Sequence, residues 1–175
     1  MADFDKLDED FKKTQDDALT NAEWDRYDKV IKTELDQYKV RLGTTPGFKE
    51  IPFNLVKAVL WIESGGPMKW SNAKKALVAN PEWKTRPMQI GVGADQGLPT
   101  LEQGREATLL VMSDALRQEL PKVRKVPEVN VRAGIAYLVN RQSESEIKDV
   151  MDSNDTKLYE YTIKKGDTFA TLAPR

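Results

Sequence analysis

The sequence predicts a mainly α-helical protein built around one ordinary core. Apolar residues recur at steps of three and four over residues 20–42 and again after Pro127, which is helical spacing. Between these stretches, residues 52–63 form a helix candidate that is nearly apolar on all sides and is therefore expected to be central. A chain of 175 residues buries roughly 70% of its unfolded surface, so one core can be stable without disulfides.

Residues 1–47 are interpreted as an N-terminal helical extension. We expect a short helix at about 4–17 and one long amphipathic helix at about 20–42, opened by a capping box at Thr20–Glu23 and closed by Gly43. The apolar stripe of the long helix is predicted to pack on the main domain, with its charges in solvent. The alternative is a helix that binds a partner.

Residues 48–152 are assigned to the main domain. Its first helix is predicted to begin at Pro52, because proline suits the first helical position, and to stop at Gly65. The following segment, 68–101, is rich in Gly, Pro, Asn and Trp and contains one short helical candidate at 71–80. A long irregular segment in a compact domain usually carries function, and the tryptophans argue against disorder.

The second half of this domain is predicted to contain a second central helix, led by Pro127. Residues 104–120 are compatible with a helix or with a short strand entering a helix, since a four-residue apolar run fits both. A polar helical piece is expected at 143–152. Residues 153–175 form a tail in which alternating residues predict a strand followed by a turn.

Composition excludes several function classes. The 27 Lys and Arg residues balance 28 Asp and Glu residues, so no strong field favours nucleic acid or an anionic membrane. The chain contains no cysteine and no histidine, which excludes thiolate nucleophiles, a Ser–His–Asp triad and the usual zinc and haem ligands. Carboxylate chemistry remains, and nothing indicates a metal or organic cofactor.

The N-terminus is acidic and is followed by no apolar run of signal-peptide length. No stretch approaches the ~18 apolar residues of a membrane-spanning helix. We therefore expect a protein with no Sec leader and no membrane span.

Glu63 is the most informative single position. Counting back along its helix reaches Val56, Val59 and Leu60, so this carboxylate continues an otherwise apolar stripe. Apolar neighbours and the negative end of the helix dipole both favour the protonated form, as a general acid requires. The alternative is that Glu63 lies at a frayed helix end and turns into solvent.

Three blocks of sequence occur in a telling order: Ala58–Pro67 (AVLWIESGGP), Arg86–Gly91 (RPMQIG) and Val129–Leu138 (VNVRAGIAYL). Together they resemble the soluble lytic transglycosylases, which have Glu-Ser ending an apolar helix, a Gly-Leu-Met-Gln-type turn and Asn-Ile-x-x-Gly-x-x-Tyr-Leu opening another helix. The resemblance covers roughly residues 52–142. It implies a lysozyme-like fold with a small β-hairpin lobe and a cleft for the glycan strands of peptidoglycan.

The resemblance also implies roles for single residues. Glu63 matches the only catalytic side chain of the family, which protonates the glycosidic oxygen between N-acetylmuramic acid and N-acetylglucosamine and takes a proton back as a 1,6-anhydro end forms. Ser64 would support Glu63 or the sugar, unless it only ends the helix. Met88 and Gln89 would form the cleft floor and bind sugar; for Met88, plain core packing is the alternative.

Three further residues are candidates for substrate contact. Asn130 falls in the third block, although helix capping is the alternative. Tyr137 is expected mainly to pack, but it is the nearest substitute for the tyrosine of the family's Ala-Tyr-Asn motif, which this sequence lacks. Asp95 lies where the related goose-type lysozymes carry acidic residues that position a water; ordinary turn chemistry is its alternative. Trp61, Trp70 and Trp83 could stack on sugars or pack in the core.

The tail offers a second resemblance, because Tyr161–Phe169 is similar to the opening strand and turn of a LysM glycan-binding repeat. Since the substrate lies at the periplasmic cell wall, we hypothesise cytoplasmic synthesis and delivery by a phage-like or type VI secretion apparatus. The N-terminal helices would then contact that apparatus or an immunity protein. The rival functions are a hydrolytic muramidase, a non-catalytic peptidoglycan-binding module and a secretion- or phage-associated scaffold.

Overall fold

A computed structural model describes residues 4–18, 20–103 and 106–142. The α-helices within these ranges are α1 Phe4–Ala18, α2 Asp28–Leu42, α3 Phe53–Ser64, α4 Pro81–Thr85, α5 Gly97–Glu102, α6 Glu106–Val111, α7 Asp114–Glu119 and α8 Pro127–Gln142. Strands β1 Met68–Ser71 and β2 Ala76–Ala79 pair antiparallel, and 3₁₀ turns lie at Ala22–Asp25 and Leu120–Lys122. The predicted mainly α class with a small hairpin is therefore confirmed for these residues.

The core is centred on α8, which packs against α2. Val131 and Ile135 of α8 and Ile31 of α2 are completely buried. Where polar groups enter this interface, they are paired: Arg132 Nε donates to Glu34 Oε2 at 2.9 Å, and Arg132 also binds Glu119. The apolar spacing of both helices thus produces the packing that it predicts.

The predicted single helix over 20–42 is wrong in its first third. Asn21, not Thr20, caps the chain here, and its Oδ1 accepts from the amide of Glu23 at 3.0 Å. The capped element is the 3₁₀ turn, and α2 begins only at Asp28. The break places Tyr27 in the core, where its hydroxyl donates to the carbonyl of Trp83 at 2.6 Å.

An aromatic cluster joins the N-terminal helices to the rest of the unit. It consists of Phe11, Trp24, Tyr27, Trp61 and Trp83. Trp24 stacks on Trp83 with ring centroids 5.5 Å apart, and it meets Trp61 edge-on at 4.9 Å. Trp61 also contacts Phe11 at 6.0 Å, and Tyr27 contacts Trp83 at 5.3 Å. The aromatic residues before α3 therefore pack on the elements that follow, as the sequence predicts.

Helix α3 is less central than the sequence predicts. It begins at Phe53, one residue after the expected start, and buries only one face, represented by Val56 and Leu60. On the other side, Leu55 is 46% exposed and Ile62 is 79% exposed. The prediction of a helix buried on all sides is therefore wrong.

One buried lysine fixes α3 to the 3₁₀ turn. The Nζ of Lys57 lies 2.8 Å from Asp25 Oδ1 and 2.8 Å from Asp28 Oδ1, and 4.8 Å from the centre of the Trp24 ring. An ammonium at this depth is tolerated because carboxylates and an aromatic face replace its water.

The short helix predicted at 71–80 is instead the hairpin, in which Trp70 pairs with Leu77 across a turn that holds Lys75 at a φ of +48°. After β2, Asn80 caps α4, and its Nδ2 donates to the carbonyl oxygens of Ser64 (2.6 Å) and Gly66 (2.8 Å). The hairpin is therefore joined to the end of α3.

The remaining sequence expectations divide between the two parts of the chain. Residues 104–120 adopt the helical alternative wherever the structure describes them, as α6 and α7. The polar helix predicted at 143–152 and the tail predicted at 153–175 lie outside the described residues. In the part of the chain that is described, no helix combines the length and the apolar character that crossing a membrane requires.

Candidate active site

An open cleft of about 350 Å³ lies between the C-terminal half of α3, the turn after α4 and the middle of α8. The side chains that line it come from all three of these elements: Val59, Glu63, Met88, Gln89, Ile90, Val92, Asp95, Gly134, Tyr137 and Leu138. Five of the predicted site residues are among them, and each of the three sequence blocks contributes at least one. Residues distant in sequence therefore meet at one concave surface.

Glu63 lies at the rim of this cleft, near the end of α3. The helix closes at Gly65, which adopts a φ of +81° and donates its amide to the carbonyl of Trp61 at 2.7 Å. The side chain of Glu63 is exposed, so the predicted burial is wrong. The reason is that the apolar stripe used to orient Glu63 is only partly a core stripe, since its neighbour Ile62 faces solvent.

Ser64 does not line the cleft. Its Oγ donates to the carbonyl of Leu60 at 2.6 Å and accepts from the amide of Gly66 at 3.2 Å. Both bonds close the last turn of α3, as in the helix-ending alternative. They also fix the backbone immediately after Glu63.

Asn130 is fully buried and organises the cleft floor from below. Its Oδ1 accepts from the amide of Met88 at 2.8 Å, and its Nδ2 donates to the carbonyl oxygens of Ile90 (3.0 Å) and Val123 (3.1 Å). Because α8 already begins at Pro127, the interpretation of Asn130 as a helix cap is wrong. All of its printed bonds go to backbone groups of two other segments, so its role is to hold them in place.

Met88 belongs both to the core and to the cleft floor. It is only 4% exposed, and it packs directly on Gly134 of α8. A Cβ added at Gly134 would lie 2.5 Å from Met88 Cε and 2.7 Å from Met88 Cβ. The glycine in the third sequence block is therefore needed for the close approach of this turn to α8.

Gln89 occupies a strained position at the cleft. Its φ is +52°, in the left-handed region that L-residues with side chains seldom adopt. Its Nε2 donates to Glu82 Oε2 at 3.2 Å and to the carbonyl of Arg86 at 2.9 Å. The bond from Gln89, assisted by the charge of Arg86, lowers the pKa of Glu82. The strained backbone is thus held by its own side chain.

Asp95 lines the cleft, but it also builds the loop. Its carboxylate accepts from the amides of Gly91 (2.6 Å), Gly97 (2.7 Å) and Leu98 (3.1 Å) at the start of α5. This is the turn chemistry expected as its alternative role. The carboxylate is consequently fixed in orientation.

Tyr137 is half-buried and lines the cleft from α8. In the described part of the chain, its hydroxyl makes no hydrogen bond. The tryptophans proposed for sugar stacking do not line the cleft: Trp83 is fully buried, Trp61 lies in the aromatic cluster, and the ring of Trp70 is covered by Lys13 Nζ at 4.1 Å.

Sequence reasoning missed the apolar walls of the cleft, which are Val59, Ile90, Val92 and Leu138. For Val59 a signal existed, because it lies one helical turn before Glu63. Among the described residues, no three carboxylates converge as a metal site would require.

No protein-family model matches this chain, and neither the curated proteins nor the solved structures contain a match to it. The functional argument therefore depends on the geometry of the cleft and on the motifs that meet there.

Proposed function

We propose that this protein is a peptidoglycan lytic transglycosylase with a lysozyme-like fold, in which Glu63 is the catalytic acid and base. The observation that carries the proposal is the shared cleft. Glu63 from the first motif, Met88 and Gln89 from the second, and Tyr137 from the third all line it. Nothing in the local sequence requires these segments to meet.

The reaction proposed for Glu63 needs one ionisable side chain. Its protonated carboxyl gives a proton to the glycosidic oxygen as the bond from that oxygen to C1 of N-acetylmuramic acid breaks. The 6-hydroxyl of the same sugar then attacks C1, and the carboxylate accepts the hydroxyl proton. One glycosidic bond is replaced by one intramolecular ether, and no water is consumed.

The cleft walls suit a saccharide. Met88, Ile90 and Leu138 offer apolar surface to the C–H faces of sugar rings, while Gln89 and Tyr137 supply polar groups at the same surface. In the free protein Glu63 is exposed. A glycan lying in the cleft would cover its carboxyl, and the loss of water would favour the protonated form that the first step requires.

A hydrolytic muramidase is the second candidate, because Asp95 lines the same cleft as Glu63. Activation of water would require Asp95 to act while its oxygens hold three backbone amides. A non-catalytic glycan-binding module is the third candidate and is favoured by the exposure of Glu63. For each, the proposed place of action is the cell wall, reached without a Sec leader.

The test is mass spectrometry of the products released from purified peptidoglycan. We expect fragments ending in 1,6-anhydro-N-acetylmuramic acid, lighter by one water than hydrolytic products. The substitution Glu63→Gln should reduce their release by at least about 100-fold, since it removes the general acid. Glu102→Gln, on an exposed carboxylate outside the cleft, is the matched control and should keep full activity.

Reducing ends instead of anhydro ends would identify a muramidase. Binding without any release, equal for the unmodified protein and Glu63→Gln, would identify a binding module.

A further inference from the structure

A basic turn, Lys122–Lys125, connects the 3₁₀ segment after α7 to α8. Its three cations, Lys122, Arg124 and Lys125, are all exposed, whereas Val123 is buried and anchors the turn. The carbonyl of Lys122 accepts from the amides of Lys125 (2.8 Å) and Val126 (2.9 Å). The charges are therefore displayed from an ordered backbone rather than from a long loop.

Within the described residues, none of these three cations forms an ion pair. The neighbouring carboxylates have other partners, because Glu119 binds Arg132 and Asp95 accepts three backbone amides. Three like charges in four residues without a counter-charge create a local positive potential, even though the whole chain is nearly neutral.

The basic turn borders the cleft. A Cβ added at Gly91 would lie 3.1 Å from Arg124 Nε and 3.2 Å from Arg124 Cγ, so the arginine side chain lies against this glycine. Gly91 is flanked by Ile90 and Val92, and both line the cleft. In addition, Asn130 binds the carbonyl oxygens of both Ile90 and Val123, which joins the cleft floor to the basic turn.

We infer that the basic turn binds the carboxylates of the peptide stems carried by a glycan strand in the cleft. This inference rests on the proposed function, because it assumes that the cleft takes peptidoglycan. The charged residues that line the cleft itself are Glu63 and Asp95, which repel anions. Carboxylates attached to the strand must therefore be held outside it, where Arg124 offers a planar fork and the lysines offer point charges.

The test is a binding measurement with Glu63→Gln protein, so that turnover does not interfere. Two substrates are compared: sacculi free of phosphate-bearing wall polymers, and the same glycan after an amidase has removed its peptide stems. The variant is Lys122→Gln/Arg124→Gln/Lys125→Gln. The control, Lys29→Gln/Lys49→Gln/Lys84→Gln, removes three exposed lysine charges from other surfaces.

We expect the basic-turn variant to bind stem-bearing glycan about tenfold more weakly, as three solvent-exposed charge contacts predict, and to bind stripped glycan unchanged. The control should bind both as before. Raising the salt to about 0.5 M should abolish most of the difference, since exposed charges are screened.

Three results would overturn the inference: equal losses on both glycans, no loss on either, or an equal loss in the control. Failure of the proposed function is a separate result. If stem-dependent binding is lost in the variant but the unmodified protein releases no product, the basic turn keeps its role in a protein that binds without cleaving.

Discussion

Helix α8 presents two different surfaces. Toward α2 it buries Val131 and Ile135 completely, and the charged group that enters this interface, Arg132, is paired with Glu34. Toward the cleft it presents Gly134 and Tyr137 to an open space. One surface is closed and fully packed, and the other leaves room for a ligand.

The contrast teaches where strain and exposed charge are tolerated. Glu63 is exposed at the open surface, and Gln89 there holds a φ of +52°. An unfavourable backbone conformation of this kind costs about 1–3 kcal/mol and persists only where its surroundings fix it. Asn130 and Gly134 provide that support, because they hold the neighbouring residue Met88 against α8. The cleft therefore depends on residues that no substrate would touch.

Removal of the Asn130 side chain should have the largest effect on this support. Asn130→Ala leaves the amide of Met88 and the carbonyl oxygens of Ile90 and Val123 without partners, and it leaves a void. We expect a loss of roughly 3–5 kcal/mol in the free energy of unfolding. Urea denaturation measures it; Asn54→Ala, on the exposed side of α3, is the control. A loss below about 1 kcal/mol would contradict a supporting role.

A smaller effect is expected where the floor touches α8. Gly134→Ala introduces a methyl group into the space of Met88 and should cost about 1–3 kcal/mol in unfolding free energy. Met88→Ala makes room for that methyl group, so the double variant should lose less than the sum of the two single losses. Simple additivity in this double-mutant cycle would show that the two residues do not press on each other.

The closed surface supplies the smallest change and a pH signature. Burial raises the pKa of the Tyr27 hydroxyl to about 12, against an ordinary value near 10. A raised pKa in the folded state stabilises the protein fully below pH ~10, and this contribution is lost as the pH rises toward 12. Tyr27→Phe should cost about 1 kcal/mol at neutral pH, because the hydrogen bond to Trp83 is lost.

Between pH 10 and 11, the stability gap between the unmodified protein and Tyr27→Phe should narrow, since the variant has no phenol to ionise at this position. Denaturation curves at several pH values measure the gap. A gap that widens with pH would contradict the assigned burial. Tyr38, whose pKa is also raised by burial, remains in both proteins as an internal reference.

Elements with a strong local signal could be predicted from the sequence, and those that depend on distant partners could not. Helix α8 follows from its periodicity and from Pro127. The hairpin does not, because residues 71–80 contain good helix formers and only the pairing of Trp70 with Leu77 shows the strand geometry. The break before α2 likewise depends on the contact of Tyr27 with Trp83.

The candidate site shows the same division. Order and spacing of the motifs predicted which residues would meet, but periodicity gave the wrong exposure for Glu63, because an apolar helix face was taken for a core face. For Asn130, position near a helix start suggested a cap; its actual partners lie up to 42 residues away. Local pattern identifies candidates, and only tertiary contacts assign their roles.

The aromatic cluster gives this molecule a built-in optical reporter. Trp24 and Trp83 lie almost parallel, with an interplanar angle of 18°, and Trp61 meets Trp24 edge-on. Indoles held in such fixed, asymmetric surroundings produce a near-ultraviolet circular dichroism signal that vanishes when side-chain packing is lost. Because Trp61 precedes Glu63 by two positions on α3, a saccharide that shifts this helix would change the signal without any attached dye.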